Sequence, residues 1–280
     1  MKRILVPVDF SPTSKKAFRF AVDIASKSGG SIILYHLYSP EKKTTLGQWE
    51  NIKEYNKNIQ ENSLKRLQRL KKKVFQDIAE VPVSTIVERT PVIDNILSFA
   101  EHHDIDMIVM GTQGASGLKK ITVGSVASKV MKKSNIPVLL IPERFEWKLP
   151  EKIVFTTSFQ KADTIALPIV FEIAKLYGAL VTFVNLLNPY DQYGEKEKRK
   201  FESYTYSVQR TFNDSRIQFQ QLETTSVIKT MENLYEEIPY DMLGMARRKL
   251  GFFNRFFQKS FTKKMAYLTT QPLLVIPEEE

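Results

Sequence analysis

The 280-residue chain contains no cysteine, which excludes disulfide bonds, thiolate metal sites and thiol nucleophiles. It also lacks any apolar run of about 18 residues, the length that a membrane-spanning helix requires. Its first apolar stretch meets Pro7 and Asp9 too early to form the core of a signal peptide. Hydrophobic residues make up 42% and charged residues 26% of the chain, as is typical of globular proteins. We therefore expect a soluble, cytoplasmic protein.

Sequence motifs of several enzyme classes are missing as well. There is no Gly-x4-Gly-Lys-Ser/Thr motif, and hence no P-loop of the NTPase type. The three histidines, His36, His102 and His103, are not spaced as metal ligands, and we expect His36 to be a packed strand residue. Neither a catalytic triad nor a carboxylate pair is evident. We expect no catalytic residue and no metal ligand among the side chains.

The charge of the chain is unevenly distributed. The net charge is +10, from 41 basic and 31 acidic residues. Residues 1–145 carry 23 basic and 14 acidic side chains, whereas residues 146–280 carry 18 and 17. A basic balance is typical of proteins that bind nucleic acid, a membrane surface or small phosphorylated ligands. The excess belongs to the first half of the chain.

Several segments of the first half recur in the second half at constant offsets. Two pairs are 149 residues apart and two are 135 apart: 3–10 with 152–159, 28–37 with 177–186, 106–110 with 241–245, and 136–142 with 271–277. Constant offsets over separate segments indicate a tandem repeat with a deletion in the middle of the second copy. We predict two domains, residues 1–145 and 146–280.

Each half alternates apolar runs typical of buried strands with segments of helical periodicity. In the first half the predicted strands are residues 4–8, 31–37, 83–87, 106–110 and 138–141. Residues 40–58 are polar and aperiodic, which predicts a long loop leading to a basic helix. This alternation predicts an α/β fold with two tandem doubly wound domains, each a five-stranded parallel sheet flanked by helices. Extending a flavodoxin-like strand order to them places the reversal of order between the first and fourth strands.

A loop in the first half has the composition of a phosphate-binding loop. Gly111 follows the fourth strand, Gly114 comes next, and Gly124 and Ser125 precede a helix. Glycines let a ligand approach the backbone, whose N–H groups attract anions together with the helix start. By itself the pattern equally fits a glycine-rich turn with a helix-capping serine. Asp9 ends the first strand and could either bind ribose hydroxyls beside this loop or cap the following helix, for which Ser11 and Thr13 also qualify.

The segment Val-Pro-Val-Asp-Phe-Ser at residues 6–11 and the spacing Gly-x2-Gly-x9-Gly-Ser at residues 111–125 resemble the universal stress protein family, in its ATP-binding branch. The resemblance implies an adenine nucleotide α-hydrolase-like fold and binding of ATP, with Mg²⁺ held through the phosphates. Carried over by position, the implied contacts are Pro7, Val8, Asp9 and Leu37 for adenine and ribose, Met110, Gly111, Thr112 and Gly114 for ribose and phosphates, and Gly124, Ser125 and Val126 for the phosphate chain.

The second half departs from this pattern at most of these positions. The replacements are Pro7 by Thr156, Asp9 by Ser158, Gly111 by Ala246, Gly114 by Lys249 and Gly124 by Lys259, while Ser125 is kept as Ser260. Side chains there would occupy the space of the phosphates, and the carboxylate for ribose is lost. We expect one adenine nucleotide per chain, held by the first domain.

Two basic segments are candidates for other interactions. Residues 247–264 combine seven positive charges with five phenylalanines and no acidic residue, so they could bind nucleic acid or an anionic membrane, or form an amphipathic helix with buried phenylalanines. We favour the helix. Residues 65–73 are expected to be a solvated helix face.

The leading functional hypothesis is a stress-response protein with ATP as a regulatory ligand and a second domain that is structural or binds a partner. The alternatives are a nucleotide-independent interaction protein that uses residues 247–264, and a slow ATPase or self-phosphorylating protein with Thr122 or Ser125 as acceptor. The fifth strands, ending at Pro142 and Pro277, lie at predicted sheet edges, and the resemblance implies that such edges pair. We expect an internal pseudo-dimer of the two domains and allow for a homodimer.

Overall fold

A computed structural model describes residues 1–40, 49–76, 80–112, 124–159, 161–188, 190, 194–247 and 270–278. The chain divides into two compact units, Met1–Glu143 and Arg144–Glu280. Gly114 and most of the basic, phenylalanine-rich segment, residues 248–264, lie outside the described residues. Within the described part of the chain, no helix combines the length and apolar character needed to cross a membrane.

The first unit is a parallel sheet with helices in its connections. Its elements are β1 (Arg3–Pro7), α1 (Pro12–Ser28), β2 (Ser31–Tyr38), α2 (Trp49–Val74), β3 (Val83–Arg89), α3 (Val92–His102), β4 (Met107–Gly111), α4 (Ser125–Lys133) and β5 (Val138–Ile141). The strands are ordered β3-β2-β1-β4-β5, and all of these neighbours pair in parallel. The expected loop over residues 40–58 is wrong in its second part, because α2 already begins at Trp49 and is 26 residues long.

The second unit repeats this architecture. Its elements are β6 (Lys152–Thr157), α5 (Lys161–Tyr177), β7 (Leu180–Leu187), α6 (Gly194–Phe212), β8 (Ile217–Glu223), α7 (Val227–Glu237), β9 (Met242–Arg247) and β10 (Leu273–Pro277). The strand order is β8-β7-β6-β9-β10, again parallel throughout. Helix α5 has the bounds of α1 displaced by 149 residues, the offset found in the sequence.

The predicted α/β fold with two tandem doubly wound units is confirmed. In each unit the strand order reverses between the first and fourth strands, as expected. The expected flavodoxin-like order is wrong, because flavodoxin has 2-1-3-4-5, whereas each unit has 3-2-1-4-5, the order of the dinucleotide-binding Rossmann sheet. Both orders create a crevice at the carboxyl ends of the strands beside the reversal.

Apolar strands and the buried faces of the helices make the core of the first unit. Ile4, Leu5 and Val6 of β1 are fully buried, because neighbouring strands and helices cover both faces of a parallel sheet. Helix α1 ends at Gly29, whose left-handed backbone (φ 68°) suits a residue without a side chain. The corresponding Gly178 of the second unit has φ 64°.

Both units also share an aspartate that joins the first and fourth strands. Asp106, just before β4, accepts hydrogen bonds from the backbone N–H groups of Lys2 and Arg3 at 2.5 and 2.8 Å. Asp241, just before β9, accepts the corresponding bonds from Glu151 and Lys152 at 3.0 and 2.9 Å. These carboxylates align the starts of the two central strands, so they are structural parts of the repeat.

Candidate functional site

A cavity of about 210 Å³ lies in the first unit at the carboxyl ends of β1 and β4, where the strand order reverses. Ten of the eleven sequence-predicted site residues line it: Pro7, Val8, Asp9, Leu37, Met110, Gly111, Thr112, Gly124, Ser125 and Val126. The eleventh, Gly114, lies outside the described residues. Three separate stretches of the chain therefore meet around one cavity, one after β1, one at the end of β2 and one between β4 and α4.

Further lining residues were not predicted from the sequence. They are Ser14, Tyr35, Val92, Ile96 and Ala127. Tyr35 lies two residues before Leu37 on β2, so the alternation of strand side chains could have indicated it. Val92 and Ile96 lie one turn apart at the start of α3, for which the sequence contains no motif. Most of the added residues are apolar, so they extend the apolar part of the cavity lining.

Asp9 is an exposed carboxylate at the rim of this cavity. Its Oδ1 accepts a hydrogen bond from the backbone N–H of Ser11 at 3.0 Å. Ser11 is the N-cap of α1, and its Oγ accepts from the N–H of Ser14 at 3.1 Å. The alternative reading of Asp9 as the helix cap is therefore wrong, as is Thr13 in that role. Asp9 instead ties the turn after β1, with its carboxylate at the cavity.

Close packing requires a glycine at one of the two described loop positions, and the backbone conformation requires none at the other. A Cβ on Gly111 would lie 2.7 Å from the Cβ and Oγ1 of Thr13, so the start of α1 packs directly against the end of β4. Gly124 has φ −53°, which any residue can adopt, and is itself the N-cap of α4. Ser125 is thus the first helical residue, and the expected capping role of this serine is wrong.

The start of α4 lines the cavity with Ser125, Val126 and Ala127. The N–H of Gly124 donates to the carbonyl oxygen of Thr112 at 2.5 Å, which brings the two ends of the glycine loop together. Among the described residues no side chain caps the helix, and its first turn contains no acidic residue. The N–H groups of the first turn and the positive end of the helix dipole are therefore available to an anion near Ser125 and Val126.

Two titratable side chains of β2, near the cavity, make hydrogen bonds and have shifted pKa values. The hydroxyl of Tyr35 donates to Oε2 of Glu88 at 2.6 Å, and burial raises the pKa of this tyrosine, so it stays protonated. Nδ1 of His36 donates to the carbonyl oxygen of Val8 at 2.7 Å, and burial lowers the pKa of its imidazole. His36 is a packed strand residue that holds the end of β1.

A cluster of planar side chains stands beside the rim. The ring of Phe10 lies 4.6 Å from the ring of His36, between centroids, and the guanidinium carbon of Arg66 lies 3.8 Å from the Phe10 centroid. Arg66 belongs to α2, in the segment expected to be only a solvated face. Sequence reasoning missed this contact, because nothing local relates positions so far apart in the chain.

In the second unit, side chains of the protein bind the turn after the first strand. Asp163, at the position of Ser14, is 1% exposed and accepts from the N–H of Ser158 at 2.9 Å and from the hydroxyls of Thr157 and Ser158 at 3.3 and 3.4 Å. Asn185, at the position of His36, donates to the carbonyl oxygen of Thr157 at 3.0 Å. A carboxylate of the protein thus occupies the turn after the first strand.

Within the described residues, no group of three or more histidine, aspartate and glutamate side chains is arranged to hold a metal ion.

The sequence model of the universal stress protein family matches residues 1–142, and the chain belongs to this family. Two universal stress proteins of Methanocaldococcus jannaschii are similar to it: MJ0531 is 32% identical over 50% of this chain and 81% of its own length, and MJ0577 is 30% identical over 51% and 96%. The crystal structure of a universal stress protein from Archaeoglobus fulgidus shares the fold, with a TM-score of 0.73 and 18% identity over 99% of this chain and 98% of that one.

Proposed function

We propose that the first unit binds one adenine nucleotide, ATP with Mg²⁺ held through its phosphates, as a regulatory ligand in a stress response. The observation that carries this proposal is the assembly of ten motif positions around one cavity at the reversal of strand order. Ligands of open α/β sheets bind at this place. Membership of the universal stress protein family adds the expectation that the protein acts in a stress response.

The chemistry of the lining fits the parts of a nucleotide. The apolar side chains of Leu37, Ile96 and Met110 suit a base, and the exposed carboxylate of Asp9 can accept hydrogen bonds from ribose hydroxyls. The uncapped start of α4 suits phosphates. A volume of about 210 Å³ is small for a ligand pocket, so the phosphates would extend outward past Gly124 and Ser125.

The second unit would not take part in nucleotide binding. The turn after β6 has Ser158 in place of Asp9, and the carboxylate of Asp163 already accepts the hydrogen bonds available there. A negative charge in this position would also repel phosphates. We propose a structural or partner-binding role for this unit.

Calorimetric titration of the full chain with ATP and Mg²⁺ tests the proposal. We expect a stoichiometry of one, and a stoichiometry of two or no binding contradicts it. The Asp9→Ala variant loses hydrogen bonds from a charged acceptor, so its affinity should fall roughly 10- to 100-fold. The matched variant Ser158→Ala, at the corresponding position of the second unit, should bind ATP as the wild type does.

A further inference from the structure

Helix α2 presents a row of positive side chains on its exposed face. Residues 62–76 contain six basic side chains and no acidic one. The last acidic residue of the helix is Glu61, whose Oε1 lies 4.0 Å from Nζ of Lys57. With 3.6 residues per turn, five of the six basic residues fall within about a third of the helix circumference. These five exposed residues form the cationic stripe: Lys65, Arg66, Arg69, Lys72 and Lys73.

The charges of the cationic stripe have no counterpart within the part of the chain that the structure describes. No carboxylate there forms an ion pair with any of the five side chains. Attraction to the negative end of the helix dipole accounts for the lysines of the last turn, residues 71–73. It does not account for Lys65, Arg66 and Arg69, which lie further from that end. Like charges on one helix face repel one another, so an external polyanion would stabilise the stripe.

The cationic stripe is separate from the cavity. Helix α2 packs against β2 and β3 with its apolar face, where Leu67 is fully buried. The Phe10 ring contacts both His36 of β2 and Arg66 of α2. Because successive side chains of a strand point to opposite faces of the sheet, α2 lies with His36 on the face opposite to Leu37, which lines the cavity. A ligand of the stripe is therefore independent of the proposed nucleotide.

The corresponding helix of the second unit mixes its charges. Helix α6 follows β7 as α2 follows β2, but its basic residues alternate with Glu195, Glu197 and Glu202. Nζ of Lys200 donates a hydrogen bond to Oε1 of Glu197 within the same helix. Since both helices follow the second strand of their unit, the fold alone does not require the cationic stripe.

The composition of the stripe distinguishes between polyanions. An interfacial membrane helix inserts an apolar face into lipid, but the apolar face of α2 is buried against the sheet. Single-stranded nucleic acids are held by bases stacked on aromatic side chains, and residues 65–73 include no aromatic residue. A duplex can be held through its phosphates by lysine and arginine side chains. Residues 65–73 rise about 12 Å along the helix, which is also the width of the major groove of B-DNA.

We propose that the cationic stripe of α2 binds the phosphate backbone of double-stranded nucleic acid without reading its sequence. Each phosphate contact releases counterions from the duplex, so the affinity rises as the salt concentration falls. Five such contacts predict a slope of about −4 to −5 for the logarithm of the affinity against the logarithm of the salt concentration. Contacts to phosphates position a protein on a duplex and carry no sequence information.

Fluorescence anisotropy of the full chain with a short labelled DNA duplex, over a series of salt concentrations, tests the proposal. We expect the slope given above, and equal affinities for two duplexes of unrelated sequence. The triple variant Lys65→Gln/Arg69→Gln/Lys72→Gln should bind roughly 10- to 100-fold more weakly at low salt, with a slope that is smaller by about 3. Circular dichroism establishes that this variant is folded.

A matched variant removes the same number of charges from α6. Lys196→Gln/Lys198→Gln/Arg199→Gln changes three exposed cations of the second unit and should bind the duplex as the wild type does. Equal losses in the two triple variants would show that net charge, rather than the stripe, attracts DNA.

Two results with the wild type also overturn the proposal. One is the absence of duplex binding at low salt. The other is tighter binding of single-stranded DNA, or of vesicles of phosphatidylserine and phosphatidylcholine, which would show that the stripe serves a different polyanion. None of these results bears on the nucleotide proposed for the cavity.

Discussion

The two units end their first strands in the same way and use the space beyond them differently. Phe10 and Phe159 share a left-handed backbone, and His36 and Asn185 each donate a hydrogen bond to the last carbonyl before the turn. In the first unit a cavity follows, with Asp9 at its rim. In the second unit the carboxylate of Asp163 fills the turn.

The comparison separates residues that maintain the fold from residues that line the cavity. The shared features, such as the aspartates that join the central strands and the glycines that end the first helices, stabilise any sheet of this order. The differences at Asp9 and Ser158 and at Ser14 and Asp163 lie in the turn after the first strand and at the start of the helix that follows it. A duplicated fold can thus keep its core while its two copies differ in the turn after the first strand.

The largest loss of ATP affinity should come from giving the first unit the residue that the second unit has at one equivalent position. Ser14 lines the cavity, and its counterpart Asp163 carries the carboxylate that binds the turn after β6 in the second unit. Ser14→Asp would place a second carboxylate near Asp9 and repel phosphates. We expect the affinity for ATP to fall roughly 100-fold or more, since unfavourable like-charge contacts cost several kcal/mol. Calorimetry measures it, with circular dichroism to establish folding.

The reverse substitution is the matched control. Asp163→Ser removes an acceptor from three donors in the second unit, so it should lower the free energy of unfolding by about 1–3 kcal/mol. Its affinity for ATP and the stoichiometry of one should not change. Ser14→Asp with an affinity within twofold of the wild type would show that this position does not distinguish the units.

Exchanging the residues at the ends of the fourth strands should have a smaller effect, on the free energy of unfolding. A side chain on Gly111 would press on Thr13 Cβ and on its backbone carbon at 2.7 and 2.8 Å, and the backbone cannot move freely. We expect Gly111→Ala to lower the free energy of unfolding by about 2–3 kcal/mol. Ala246 of the second unit is buried, and Ala246→Gly should cost only about 1 kcal/mol. Urea denaturation compares the two, and equal losses would contradict the packing argument.

The sequence predicted much of this comparison, because repeats and motifs are local patterns. Segments at constant offsets identified two copies, and the glycine spacing with Asp9 led to positions that line one cavity. What it missed depends on contacts between distant residues. The polar start of α2 has no apolar periodicity that would predict a helix. The packing of Thr13 on Gly111 joins two elements that are distant in sequence. The hydrogen bonds of Asp163, which occupies the position equivalent to Ser14, correspond to no sequence motif.

The smallest effect concerns the side chain that holds the end of the first strand. Burial lowers the pKa of His36 below its ordinary value of 6.5, so the folded state favours the neutral imidazole. The stability that this group contributes is present above pH 6.5 and is lost as the pH falls towards the lower folded pKa. His36→Asn copies Asn185 and keeps a donor for the carbonyl oxygen of Val8, so it should change stability by less than about 1 kcal/mol at pH 8. Thermal unfolding at a series of pH values should show the wild type losing stability relative to His36→Asn below pH 6.5. Parallel curves for the two proteins would mean that His36 does not titrate differently on folding.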